Sequence, residues 1–304
     1  MFLIVSISFS SYFLQVYSFN YYFIHKILIC IFYAYKFLYK YLHIRKNEDT
    51  KLFHNYTVMA NQHNILMKEK YSDDTTLSIQ QSKIYDGQDA FLYTNHHYSK
   101  LKFVNLSSAH AAVDLKEKYF ACKIALLNFA DYLSPGGRYL QGATAQEEIL
   151  CHQSNLYQII SNFNKYYEWN NQHINYHLYR NRAIYSPNVV FTNLDGTLIN
   201  TINVITCAAP YYREAQLYNI SYEEACMTLK NRMYFVKNIA EDQQIDYLVL
   251  GAWGAGAFGF SSKEVAKMWH DVFSHPSSIK EVDFAVIDIH GSNNTQIFKS
   301  EFSN

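Results

Sequence analysis

Apolar residues along this chain fall into short runs separated by polar, often glycine-bearing turns. Six runs are dense in β-branched and aromatic residues, which favour strands. They are LKFVNL (101–106), KIALLNF (123–129), NVVFTN (188–193), NVITCAA (203–209), DYLVLGA (246–252) and VDFAVIDI (282–289). Three are almost unbroken in apolar residues, as strands covered on both faces are.

Between them the apolar period lengthens to that of a helix. Residues 145–163 carry Ile149, Leu156 and Ile160 at helical spacing. A second helix is predicted from Ser221 to Asp242, with Ser221 and Glu224 placed as a capping box. A third begins near Ser261–Ser262, with Glu264 in its first turn. Strands alternating with helices predict a three-layer α/β domain. Residues 164–187 are polar, aromatic and irregular, and read as an excursion over the surface. In NLDGTLIN (193–200), Asp-Gly between two strand-like runs predicts a hairpin turn. The same octet is similar to the start of a phosphatase motif, but Asn193 stands where the nucleophilic Asp belongs.

The first forty-odd residues differ from the rest: they hold no acidic residue, no Pro and no Gly. Met1 to Ile24 is uncharged and about long enough to span a bilayer. Lys36, Lys40, Arg45 and Lys46 follow as a basic flank. Three readings stand: a membrane anchor or uncleaved signal through residues 1–44, an aromatic-rich appendage packed on the domain, or a segment outside the working protein with translation starting at Met59 or Met67. The expected organisation is an extension at 1–58 and a domain at 59–304. A cytoplasmic or nuclear location follows only if the extension is no anchor.

Charge narrows the partners. Lys+Arg and Asp+Glu balance at 26 each in 304 residues, so nothing suggests direct nucleic-acid binding. Five cysteines are scattered without a C-x-x-C pair, and H-E-x-x-H is absent, so no disulfide framework or zinc site is indicated. His96–His97 and His173–His177 lack a third ligand nearby. His290 is placed as a surface turn or the edge of a cleft, and Tyr211, Tyr212 and Arg213 after the run at 203–209 as candidates to border one.

The chemistry concentrates in two glycine-bearing stretches. LVLGAWGAGAFGFSSKEVAKMW (248–269) puts Gly254, Gly256 and Gly259 in a G-x-G-x-x-G register. A dinucleotide fold needs that loop in its first βα turn, with an acid about 20 residues on. Here too little chain follows, so this reading fails. A small-residue loop between strand and helix still presents N–H groups to a phosphate. The other stretch, residues 126–157, ends a buried strand at Asn128. It then runs through Pro135, Gly136, Gly137 and Gly142 into Gln146-Glu147-Glu148 at a helix start. Paired carboxylates there suit hydrogen bonds to sugar hydroxyls and acid/base work on a glycosidic bond. A helix N-terminus lowers a carboxyl pKa, whereas burial and a neighbouring carboxylate raise it. One Glu can thus stay ionised while the other carries a proton.

NFADYLSPGGRYLQGATAQEEILCHQSNLY resembles the signature of microbial-type poly(ADP-ribose) glycohydrolases, which are built on a macrodomain. VITCAAP (204–210) and LGAWGAGAFG (250–259) resemble further family segments in the same order. The likeness runs over roughly 60–300. It implies a macrodomain-like α/β/α fold with a mixed central sheet, hydrolysing the ribose–ribose linkage of poly(ADP-ribose) or an ADP-ribosylated protein's terminal linkage, with ADP-ribose as product and no cofactor. By the same resemblance Glu148 is the catalytic acid/base, Glu147 holds ribose hydroxyls and Gln146 fixes the loop. Asn128, Gly136 and Gly137 approach the distal ribose and diphosphate. Gly254, Ala255, Gly256, Ala257, Phe258 and Gly259 wrap the diphosphate from the other side, with Phe258 packing on a ribose. One departure stands out: Arg138 replaces the third Gly of the family run, which opens a second reading as an ADP-ribose-binding module without turnover.

Overall fold

The computed structural model describes residues 55–87, 97–288 and 291–303. The extension up to residue 54, His96 and His290 lie outside the described residues. From the N-terminal side the elements are helix α1 (55–70), α2 (Ser72–Gln81), β1 (Lys83–Asp86), β2 (Lys100–Val104), α3 (Ser108–Lys118) and β3 (Ile124–Phe129). There follow α4 (Gln146–His152), α5 (Leu156–Ile160), α6 (Asn164–Gln172), β4 (Arg182–Thr192), β5 (Leu198–Cys207) and α7 (Tyr212–Ala215). The chain closes with α8 (Tyr222–Asp242), β6 (Tyr247–Leu250), α9 (Ser262–Phe273), β7 (Glu281–Ala285) and α10 (Asn294–Phe302).

The strands form one seven-stranded sheet in the order β1-β4-β5-β3-β6-β7-β2. Every neighbouring pair is parallel except β1–β4 and β4–β5, so β4 alone is reversed. The C-terminal ends of β5, β3, β6 and β7 therefore share one edge of the sheet, together with the start of β4 and the end of β1. Ligands of open α/β sheets gather at such an edge.

Side-chain alternation along β3 builds the two faces. Ala125 and Leu127 pack into the core under α8, α9 and α10, with Trp253, Trp269 and Phe284. Ile124 and Leu126 pack into the core under α3, α4 and α5, with Leu150, Ile159 and Val204. The next residue on that second face is Asn128, so its amide is turned toward α4. The arrangement is the expected three-layer α/β/α fold with a mixed sheet.

Some elements differ from the sequence expectation. The span 145–163 is two helices. Ser154 bridges to Phe191, Asn155 N–H donates to Val190 O, and Asn155 Nδ2 donates to Thr75. These long-range bonds take the backbone out of helical register. The supposed excursion at 164–187 contains α6 and the first residues of β4, whose start at Arg182 is far ahead of the apolar run. The capped helix at 221–242 is present, and Ser221 Oγ accepts from Glu224 N–H. Asn193 N–H donates to Thr197 O and Gly196 takes φ +76°, closing the hairpin between β4 and β5. Met59 falls inside α1, where Ala60 and Met67 are fully buried. Among the described residues no helix is long and apolar enough to cross a membrane.

Candidate active site

The turn after β3 is fixed by its own first residues. Asp131 Oδ1 accepts from Leu133 N–H and Ser134 N–H, and Gly137 N–H donates to Ser134 O. Gly136 and Gly137 take φ +69° and +55°, the left-handed region that favours glycine. Gly136 is packed inward, where an added Cβ would meet the Tyr157 ring at 2.7 Å and Cys151 Sγ at 3.3 Å. Gly137 lies on the carboxylates: its added Cβ would stand 2.5 Å from Glu148 Oε1 and 3.1 Å from Glu147 Oε2.

Helix α4 delivers three side chains to this turn from its first three positions. Gln146 spends its amide on the scaffold. Its Oε1 accepts from Phe129 N–H at 2.8 Å, while Nε2 donates to Leu127 O and Ser108 Oγ, both at 2.9 Å. It thereby ties the helix start to the end of β3. Glu147 is buried. Its Oε1 accepts from Asn128 Nδ2 at 3.0 Å and its Oε2 from Asp131 N–H at 2.7 Å. Burial pushes its carboxyl up to about 8, helped by the charges of Asp131 and Glu148 and opposed by the two donated bonds. Glu148 is buried too, and its Oε1 accepts from Arg138 N–H at 2.9 Å. Its Oε2 has no partner among the described residues, and neither has Asn128 Oδ1. Buried acceptors left without donors are uncommon in folded proteins. Sugar hydroxyls are donors of the kind that would satisfy them.

Arg138 enters the short 3-10 turn at Tyr139–Gln141 with φ −108°, which any L-residue adopts without strain. Its side chain is exposed, and its working group is the backbone N–H on Glu148. A third glycine is therefore not demanded by the backbone.

The second glycine turn leaves β6, the parallel neighbour of β3, where Leu126 pairs with Val249. The two turns thus start side by side at one sheet edge, about 5 Å apart in the hydrogen-bonding direction. Gly254, Gly256 and Gly259 have φ of +89°, +69° and +100°. Gly254 is packed against Leu229 and Phe260, and Gly259 against the backbone of Arg213, but an added Cβ at Gly256 would meet nothing within 4 Å. Gly256 and Ala257 are exposed and Ala255 half-buried. The residues after β5 brace this turn: Arg213 Nη2 donates to Gly256 O at 3.3 Å, and the Tyr211 and Phe258 rings lie 5.2 Å apart. Between the ends of β3, β6, β7 and β2 opens a mostly apolar cavity of about 230 Å³, lined by Ser107, Phe129, Gln146, Ile149, Ala252 and Val286 among others.

Thr206 adjoins Asn128 and was not singled out from the sequence. It pairs in register with Asn128, and its hydroxyl lies 3.4 Å from Asn128 Nδ2. Its only signal is a lone hydroxyl inside the run at 203–209. Among the described residues no group of three His, Cys, Asp or Glu side chains is placed to hold a metal ion. His173 instead stacks on Trp169 at 3.7 Å.

Residues 52–193 match the family model for the microbial-type PARG catalytic domain. Over that stretch the chain is similar to microbial-type PARG. That match takes in Asn128, the first glycine turn and Gln146-Glu147-Glu148, and it ends before the second glycine turn. Solved structures extend the likeness. The poly(ADP-ribose) glycohydrolase of Thermomonospora curvata is 24% identical, with a TM-score of 0.73 over 82% of this chain and 100% of that one. The same protein bound to the inhibitor ADP-HPD aligns at 25% identity and a TM-score of 0.71, with the same coverage. The Deinococcus radiodurans glycohydrolase in complex with ADP-ribose is 29% identical, with a TM-score of 0.65 over 75% of this chain and 96% of that one. No curated protein matches the chain.

Proposed function

We propose that this domain, at about 59–304, hydrolyses the ribose–ribose O-glycosidic linkage of poly(ADP-ribose) and releases ADP-ribose. Glu148 protonates the departing oxygen as positive charge develops at the anomeric carbon. It then takes a proton from the water that attacks that carbon. Glu147 and Asn128 hold hydroxyls of the reacting ribose. The second glycine turn contacts the diphosphate through its backbone, with Gly256 at the point of closest approach. Binding energy from the diphosphate then aligns a bond several atoms away.

The observation that carries this reading is the Glu148 carboxyl, buried beneath Gly137, with one oxygen held by Arg138 N–H and the other uncommitted. A purely binding module has no use for a buried carboxylate held in that way. The unstrained backbone and exposed side chain of Arg138 support hydrolysis over such a module. Calorimetry with ADP-ribose beside a hydrolysis assay with poly(ADP-ribose) on the same sample tests the proposal. Binding together with ADP-ribose release is expected; binding with no release from the polymer would refute it.

A further inference from the structure

A polymer does not end at the bond that is cut, and the strand order indicates where the rest of it goes. The carboxylates lie at the end of β3. The apolar cavity near the ends of β6, β7 and β2 lies to one side, large enough and dry enough for part of the retained unit. On the other side, past β5, lies a second cavity of about 740 Å³, whose lining includes Trp169, His173, Arg180, Asn181, Arg182 and Arg232. We propose that this second cavity is a subsite for the ADP-ribose unit on the leaving side of the cleaved linkage, holding its diphosphate. The proposal rests on the glycohydrolase reading above.

Register sets its place. Cys207 at the end of β5 pairs with Phe129 of β3 on one side and with Ala183 of β4 on the other. Ile184 is thus level with Asn128 two strands away, and Arg182 lies two residues further toward the same edge, roughly 12 Å from Asn128. Tyr132 stacks on Tyr179 of the cavity lining, with ring centroids 4.2 Å apart. Tyr132 follows Asp131, whose N–H holds Glu147. A ligand leaving the carboxylates toward β4 therefore meets this cavity next.

Its chemistry fits a diphosphate. Among the described residues none of its three arginines pairs with a carboxylate. Arg232 is fully buried and spends its guanidinium on Asn181 Oδ1, Ala208 O and Leu178 O. It therefore contributes a fixed positive field. Arg182 stacks on Trp169 at 4.2 Å and donates to Tyr166 O and Asn170 Oδ1. Arg180 is exposed, and among the described residues only its backbone N–H is engaged, on Tyr132 OH. Its planar fork suits two phosphate oxygens at once. Asp86, also in the lining, has contacts of its own. Asn175 and Tyr179 reach the cavity from a segment in which Asn175, Tyr176, His177 and Tyr179 all have positive φ.

The test compares two substrates on the full chain: poly(ADP-ribose) several units long, and one ADP-ribose unit joined to a small uncharged aryl alcohol. The aryl substrate has no diphosphate beyond the cleaved bond. Arg180→Glu, at an exposed position, is expected to lower the ratio of kcat/KM for polymer over aryl substrate by about tenfold, as loss of one charge-assisted contact implies. Arg180→Lys should fall between. An unchanged ratio, with both substrates still cut, would overturn the subsite and leave the glycohydrolase reading intact. A wild-type protein that cuts neither substrate would remove both.

Discussion

Gly137 rests directly on Glu148. An added Cβ would lie 2.5 Å from Glu148 Oε1, inside any permitted contact, and φ +55° strains any side chain there as well. The glycine of the first turn is thus tied to the carboxyl it covers, and the pair behaves as one unit. Gly137→Ala should displace Glu148 while leaving most of the core intact. Turnover of poly(ADP-ribose) is expected to fall on the order of 100-fold, the size of a misplacement near 1 Å. A variant as active as the parent would show that the contact is incidental.

Glu147 predicts a pH dependence of stability. Its folded carboxyl sits at about 8, above the ordinary value of 4.5. Below pH 4.5 it is neutral in both folded and unfolded chains. As pH rises from 4.5 to 8 the unfolded chain gives up its proton and the folded one resists. The fold therefore loses stability across that window, at roughly 1.4 kcal/mol per pH unit at most. Glu147→Gln should remove this slope, after a constant loss from setting an amide against the donors Asn128 Nδ2 and Asp131 N–H. In thermal melts from pH 5 to 8 the variant's Tm should gain on the parent's as pH rises. Parallel curves would contradict the raised carboxyl.

Arg138 gives the third test. Because φ is −108° and the N–H is what Glu148 uses, restoring a glycine opens nothing. Arg138→Gly should leave turnover within about threefold and lower stability by roughly 0.5–1 kcal/mol, through the added freedom of the unfolded chain. A large rise in activity would mean that the arginine obstructs the site.

How much of this was legible in the residues alone depends on how local the cause is. The central strands announce themselves because burial on both faces demands runs such as Ile124–Leu127. The edge strand β1, KIYD, is short and mostly exposed, and carries no such run. Helices α2 and α3 are rich in Ser, Thr, Ala and charged residues, so their apolar stripes are faint. The break between α4 and α5 is dictated by Thr75 and Val190, both far away in the chain. In the site, Gln146-Glu147-Glu148 is visible as consecutive side chains. Of the donors that hold the two glutamates, Asn128 Nδ2 is a side chain, but Asp131 N–H and Arg138 N–H are backbone groups that no residue type marks. At Arg138 the departure from the family's glycine is plain in the sequence, whereas the holding of Glu148 by its main chain is not.

The most direct measurement is ADP-ribose release by Glu148→Gln beside its affinity for ADP-ribose. The amide keeps the shape beneath Gly137 but carries no proton to the departing oxygen. Release from poly(ADP-ribose) should drop by about 10²–10⁴-fold, while affinity stays within about tenfold of the parent's. A variant that binds equally well and still releases ADP-ribose at the parent's rate would show that Glu148 is not the acid/base.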